Sequence, residues 1–193
     1  MLAAGCLYWA LPERLSVGPS WALFAVVFVL LIPTAVSHYR ERHDVARILV
    51  LIANTVITLA MVTSLVFLIT GLPKHAEPPK VLLRSATALW FTNVLVFALW
   101  YWKLDAGGPL QRDRTRGSLN SSFLFPQMTR HEGHSTWSPE FIDYLFLAFN
   151  TSTAFSPTDT AALSRWAKIG MMLQALISLS ILALLAARAV NIL

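Results

Sequence analysis

The spacing of charge restricts this fold more than any other feature of the chain. Four stretches, 20–38, 47–72, 81–103 and 165–193, run for most of their length without Asp, Glu, Lys or Arg, and the charged residues gather between them. A helix rises about 1.5 Å per residue, so crossing a hydrocarbon core of about 30 Å takes about 20 mainly apolar residues. Each stretch is of that order. The runs are continuous and do not alternate, which predicts helices and not the strands of a barrel. Composition agrees, because 56% hydrophobic and 13% charged residues leave more apolar surface than one soluble core of this length buries. The expected fold is an all-α polytopic membrane protein, a single domain over 1–193, with four transmembrane helices plus a re-entrant helix near the C-terminus.

The remaining segments follow from what lipid rejects. Segment 1–17 begins "MLAAGCLYWALPERL"; its apolar part is short for a span, and it is expected to lie at the interface. Its Cys6 is the chain's single cysteine, which excludes an intrachain disulfide and predicts packing as a small hydrophobe. Segment 104–137 mixes turn signals with charge, "DAGGP", then "QRDRTRGSLNSS", then "FLFPQMTRHEGHS", and includes Arg112, Arg114, Arg116 and Arg130. Such a stretch cannot lie in lipid, and its length points to a role beyond connection. The net charge of +5 comes from cations at the ends of the apolar runs. There they meet lipid headgroups, so membrane lipid is an expected partner and nucleic acid is not.

Segment 138–160 carries the most information. Ser138 suits an N-cap, Pro139 the first helical position, and Glu140 with Asp143 the positive end of a helix dipole. A helix from here runs about 14 residues, to about Ser152, before Pro157 and the hydroxyls of "TSTAFSPTDT" stop it. That is about 21 Å, too short to cross. A short apolar helix, an irregular polar stretch and then a full span describe a re-entrant loop, with Asn150 bracing its turn. Irregular backbone at membrane depth is tolerated only inside protein or beside a watery cavity.

This segment resembles the pore module of potassium channels: an outer helix, a short pore helix, a filter read T-x-T-T-x-G-Y-G-D and an inner helix with a tryptophan near its start. The chain reads Thr151-Ser152-Thr153-Ala154-Phe155-Ser156-Pro157-Thr158-Asp159, with Trp166 beyond. Thr151, Thr153, Asp159 and Trp166 match the pattern. The resemblance implies a pore or filter at Thr151, Thr153, Ser156, Pro157, Thr158 and Asp159, support from Asn150 and Trp166, a homo-oligomer with a tetramer as the family's state, and a monovalent cation as ligand. The glycines that let filter carbonyls turn toward an ion are replaced by Ser156 and Thr158, and Pro157 fixes its own φ and restricts its neighbour. Two outcomes stay open: conduction through a wider, hydroxyl-lined filter, or a non-conducting scaffold or sensor that keeps a channel-like fold. The phrases "ALWYWKLDAGGP", "FLFPQM", "AFSPTDT" and "AARAVNIL" also resemble a group of bacterial integral membrane proteins, which implies a multi-pass protein of the bacterial inner membrane and no particular activity. If the long loop lies outside, as in potassium channels, its arginines oppose the usual cytoplasmic excess of Lys and Arg.

Other features carry less. Gln174 and Ser178 share a face of the last span and either line a permeation path or hydrogen-bond to neighbouring helices. "HEGH", 131–134, lacks a third nearby ligand and is a weak metal signal. No carboxylate, lysine or arginine sits deep in a span, against a proton-coupled transporter. No phosphate-binding glycine loop, zinc-protease motif or nucleophile elbow occurs. The expectation is a protein that is not an enzyme, with no cofactor and no metal.

Overall fold

The computed structural model describes residues 1–9, 11–16, 18–39, 43–71, 78–114, 121–129, 137–153 and 159–190. Among them are seven helices: α1 Leu2–Trp9, α2 Ser20–Tyr39, α3 His43–Gly71, α4 Pro79–Leu104, α5 Pro109–Arg114, α6 Phe141–Thr153 and α7 Arg165–Val190. Two short strands, β1 Phe123–Leu124 and β2 Ala161–Ala162, pair antiparallel. The chain is mainly helical, as expected, with this small ladder added.

Among the described residues three helical segments are long and apolar enough to cross a membrane: Val45–Gly71, Lys80–Gly107 and Arg165–Ala187. Four were expected. In α2 the apolar stretch among described side chains, Trp21–Ile32, falls below that length.

The chain divides into two compact units, one of Met1–Val96 with Ile177–Leu193, the other of Phe97–Leu176. In the first unit α1, α2 and α3 pack on one another through side chains such as Val27, Ile57, Met61 and Leu68, all fully buried. Polar side chains link the unit's helices at several points. Ser64 donates to the Tyr8 hydroxyl at 3.0 Å, Asn54 Nδ2 to the Val96 carbonyl at 3.3 Å and Trp90 Nε1 to Ser178 Oγ at 2.9 Å. Thr55, Thr58, Thr63 and Thr70 instead bond the carbonyl one turn back in their own helix, the usual answer for a hydroxyl in an apolar helix. Cys6 is exposed on α1 and does not pack as the small hydrophobe expected of it.

The second unit is organised around rings. Phe123, fully buried, has the rings of Tyr101 at 5.1 Å, Trp166 at 5.7 Å and Tyr144 at 6.1 Å. Phe125 packs edge-on to Tyr144 at 5.3 Å and tilted to Trp137 at 5.7 Å. Both phenylalanines come from the polar connection 104–137, so "FLF" is the plug of an aromatic core. Pairing of Phe123 with Ala162 and Leu124 with Ala161, extended by Leu163 N–H to the Ser122 carbonyl at 2.8 Å, ties that connection to the segment entering α7.

The turn leaving α4 fixes where that connection starts. Ala106, Gly107 and Gly108 take φ of 49°, 81° and 97°, a left-handed run that glycine adopts without strain. A Cβ on Gly108 would lie 3.1 Å from the Lys103 carbonyl oxygen and at a φ of 97°, so a larger residue there would be both crowded and strained. Pro109 then opens α5, where its missing N–H costs nothing.

Candidate functional site around the short helix α6

Helix α6 has 13 residues, about 20 Å, and does not reach across a core of about 30 Å. Its N-terminus is closed by its own sequence. The Glu140 N–H donates to Asp143 Oδ2 at 2.7 Å and the Asp143 N–H to the Glu140 carbonyl at 3.1 Å. This is the return half of a capping box, with an aspartate in the third helical position. The helix therefore starts at Phe141, later than Ser138 and Pro139 predict, because the Asp143 carboxylate satisfies the free N–H.

The start of α6 is anchored to a buried carboxylate. Asp105, at the end of α4, is fully buried; its Oδ2 accepts from the Tyr144 hydroxyl at 2.5 Å and the Ser121 hydroxyl at 2.8 Å, and its Oδ1 from the Ser122 N–H at 2.5 Å. Three donors thereby satisfy both oxygens of a buried carboxyl group, whose polar atoms would be costly to leave unpaired. Ser122 Oγ in turn accepts from Trp166 Nε1 at 3.0 Å. Three chain segments, the end of α4, the first turn of α6 and the Ser121–Ser122 link, thus meet at one carboxyl group, and Ser122 carries the contact on to the start of α7. Burial first, then the neighbouring Asp105 carboxylate, holds the Tyr144 phenol above its usual range, so it remains a donor. Arg112 lies over the other face of the arrangement, its guanidinium carbon 5.0 Å from the Tyr144 ring centre and its Nη1 donating to the Trp102 and Asp105 carbonyls at 2.9 and 3.2 Å.

The far end of α6 is held by a neutral amide. Gln174 of α7 is fully buried; its Oε1 accepts from the Tyr101 hydroxyl at 2.7 Å, and its Nε2 donates to the Ala148 carbonyl at 2.7 Å and to Ser152 Oγ at 2.9 Å. One side chain thereby joins α4, α6 and α7. Gly170, one turn earlier on α7, lets the Tyr101 ring approach to 3.3 Å of where a Cβ would stand.

The residues singled out from the sequence distribute around this frame. Thr151 is buried and donates to the Leu147 carbonyl at 2.8 Å; Thr153 is exposed and donates to the Phe149 carbonyl at 3.0 Å. Each hydroxyl proton is spent inside the helix, while the oxygen lone pairs remain. Asn150 is half-buried and its carbonyl takes a longer contact from Thr153 Oγ1, 3.4 Å. Asp159 is exposed. Capping of α7 falls to Ser164, whose Oγ accepts from the Ala167 N–H at 3.3 Å. Trp166 sits in the Phe123 cluster, Gln174 at the amide node, and Ser178 accepts from Trp90. Ser156, Pro157 and Thr158 lie outside the described residues, as does "HEGH". Among the described residues no group of three His, Cys, Asp or Glu side chains is placed to hold a metal.

Sequence reasoning does not single out Asp105, Tyr144, Ser121 or Ser122, and counts Arg112 only among the cations of the polar connection, whereas it is 7% exposed. A signal existed: in a charge-poor chain, Asp105 follows an apolar run directly and precedes two glycines and a proline. Comparison with protein-family models, with curated proteins and with solved structures gives no match to this chain.

Proposed function

We propose that this is a pore-loop membrane protein of the bacterial inner membrane, with α2 as a fourth span, α6 as a re-entrant pore-type helix between outer helix α4 and inner helix α7, and a homo-oligomer, a tetramer by resemblance, as the working unit. The observation that carries this reading is the amide of Gln174, which fastens the C-terminal turns of a helix too short to cross to both of its long neighbours. A helix C-terminus presents partial negative charge, and the hydroxyl oxygens of Thr151 and Thr153 with the carboxylate of Asp159 add acceptors around the stretch that resembles a filter. Monovalent cations, partly hydrated, are the proposed permeant species. Serine, proline and threonine in place of filter glycines argue for a path lined by hydroxyls and wider than a carbonyl ladder.

Flux of potassium and sodium into liposomes carrying the purified protein tests this reading. Uptake is expected, and Asp159→Asn is expected to reduce it severalfold at low ionic strength, where a ring of carboxylates concentrates cations most. No uptake of either cation under any imposed gradient rejects conduction and leaves the scaffold or sensor reading of the same fold.

A further inference from the structure

The second unit contains a cleft of about 700 Å³ that the pore reading does not use, lined by Trp102, Pro109, Arg112, Trp137, the 138–140 segment and the first turn of α6. Its chemistry is mixed in an ordered way. Arg112 supplies a cation that is 7% exposed; its described hydrogen bonds go to carbonyls and none to a carboxylate, and its buried Nε has no partner. The first-turn N–H groups of α6 add partial positive charge, and Lys103 Nζ stands 4.1 Å over the Trp102 ring. Against this, Glu140 is exposed at the cleft and Asp143 lines it with one oxygen engaged in the cap. Trp102, Trp137 and Phe141 supply aromatic walls, Trp102 and Phe141 edge-to-face at 5.5 Å.

A plain anion would meet Arg112 and the helix terminus but be repelled by two carboxylates. A plain cation would meet the reverse. A molecule carrying a phosphate and an ammonium a few bonds apart satisfies both, with the ammonium near Glu140 and an indole face, where cations are attracted, and the phosphate at the guanidinium and N-terminus. We infer that this cleft binds a zwitterionic phospho-ammonium headgroup, that of phosphatidylethanolamine or the free phosphoethanolamine it resembles. Trp102 and Arg112 flank the end of the apolar segment Lys80–Gly107, the level at which a span meets headgroups and tryptophan accumulates. The inference rests on the chain being a membrane protein and not on conduction, so a failed flux assay leaves it standing.

Native mass spectrometry of the full-length protein in detergent, titrated with phosphatidylethanolamine or phosphatidylglycerol of matched chains, tests it. Phosphatidylethanolamine is expected to bind at least about tenfold more tightly. Glu140→Gln, a change at an exposed side chain whose folding is checked by thermal unfolding, is expected to erase that preference while retaining phosphatidylglycerol binding. Arg112→Gln is expected to weaken both lipids, with thermal unfolding reporting whether the variant folds. Competition by millimolar phosphoethanolamine supports the site and shows that the headgroup suffices. Absence of competition with the preference intact supports it with the lipid as the ligand. Equal affinity for the two lipids, or a preference unchanged by Glu140→Gln, overturns it.

Discussion

The two compact units solve the same problem by different means. In the first, α1, α2 and α3 are joined mainly by apolar packing, with interhelical hydrogen bonds such as Ser64 to Tyr8. In the second, a buried carboxylate and a buried amide each collect three donors or acceptors from two other segments. The difference teaches where this protein needs definition. Apolar packing tolerates small shifts, because dispersion contacts are individually weak and non-directional. A fully satisfied polar node does not, because moving any member leaves a buried group unpaired. The short helix α6, unable to cross by itself, is the element fixed by nodes at both ends.

Removing the carboxylate should give the largest effect. Asp105→Ala strands the Tyr144 and Ser121 hydroxyls and the Ser122 N–H, each unsatisfied buried donor costing about 1–3 kcal/mol. The variant is expected to lose several kcal/mol of stability in detergent unfolding by dodecyl sulfate, or to fail to accumulate. A loss no greater than that of a single interhelical contact in the first unit would break the comparison outright.

The amide node comes next. Gln174→Leu keeps the apolar volume of α7 and removes three hydrogen bonds, which at about 0.6 kcal/mol apiece in a membrane interior sum to roughly 2 kcal/mol. Its sharper signature is local: amide exchange at Ala148 to Ser152 should accelerate while α3 is unchanged. Uniform acceleration across both units would show that Gln174 acts on global stability and not as a brace for α6.

The smallest change belongs to the first unit. Ser64→Ala removes its hydrogen bond to the Tyr8 hydroxyl and is expected to cost about 0.6 kcal/mol in the same unfolding titration. A cost approaching that of Asp105→Ala would mean that the first unit also depends on directional polar contacts, and the contrast between the units would disappear.

Much of the fold is legible in the sequence because the relevant forces are local or compositional. The positions of α3, α4 and α7 follow from the absence of charge over enough residues to span a core, and the shortness of α6 follows from the start signals at Ser138 and Pro139 and the stop at Pro157. The sequence places the start of α6 two residues early, because Ser138 and Pro139 suit an N-cap and a first helical position, and only the fold shows that an Asp143 carboxylate oxygen reaches the Glu140 N–H. The node at Asp105 was not legible. Asp105 and Tyr144 are 39 positions apart and Tyr101 and Gln174 are 73 apart, and no periodicity of one segment encodes a partner on another.

The same distinction runs through the connection 104–137. Its charge and turn residues announce that it cannot lie in hydrocarbon, but they give no sign that Phe123 will be fully buried among Tyr101, Tyr144 and Trp166. By itself the sequence determined a mainly helical chain with membrane-length apolar segments and one apolar helix too short to cross, since hydropathy and helix rise act residue by residue. Only the tertiary structure decided that a loop phenylalanine plugs an aromatic core, that Asp105 and Gln174 anchor the two ends of α6, and that Arg112 is buried beside a cleft. Burial and hydrogen bonding are properties of which segments meet, and they come into being only when the chain closes on itself.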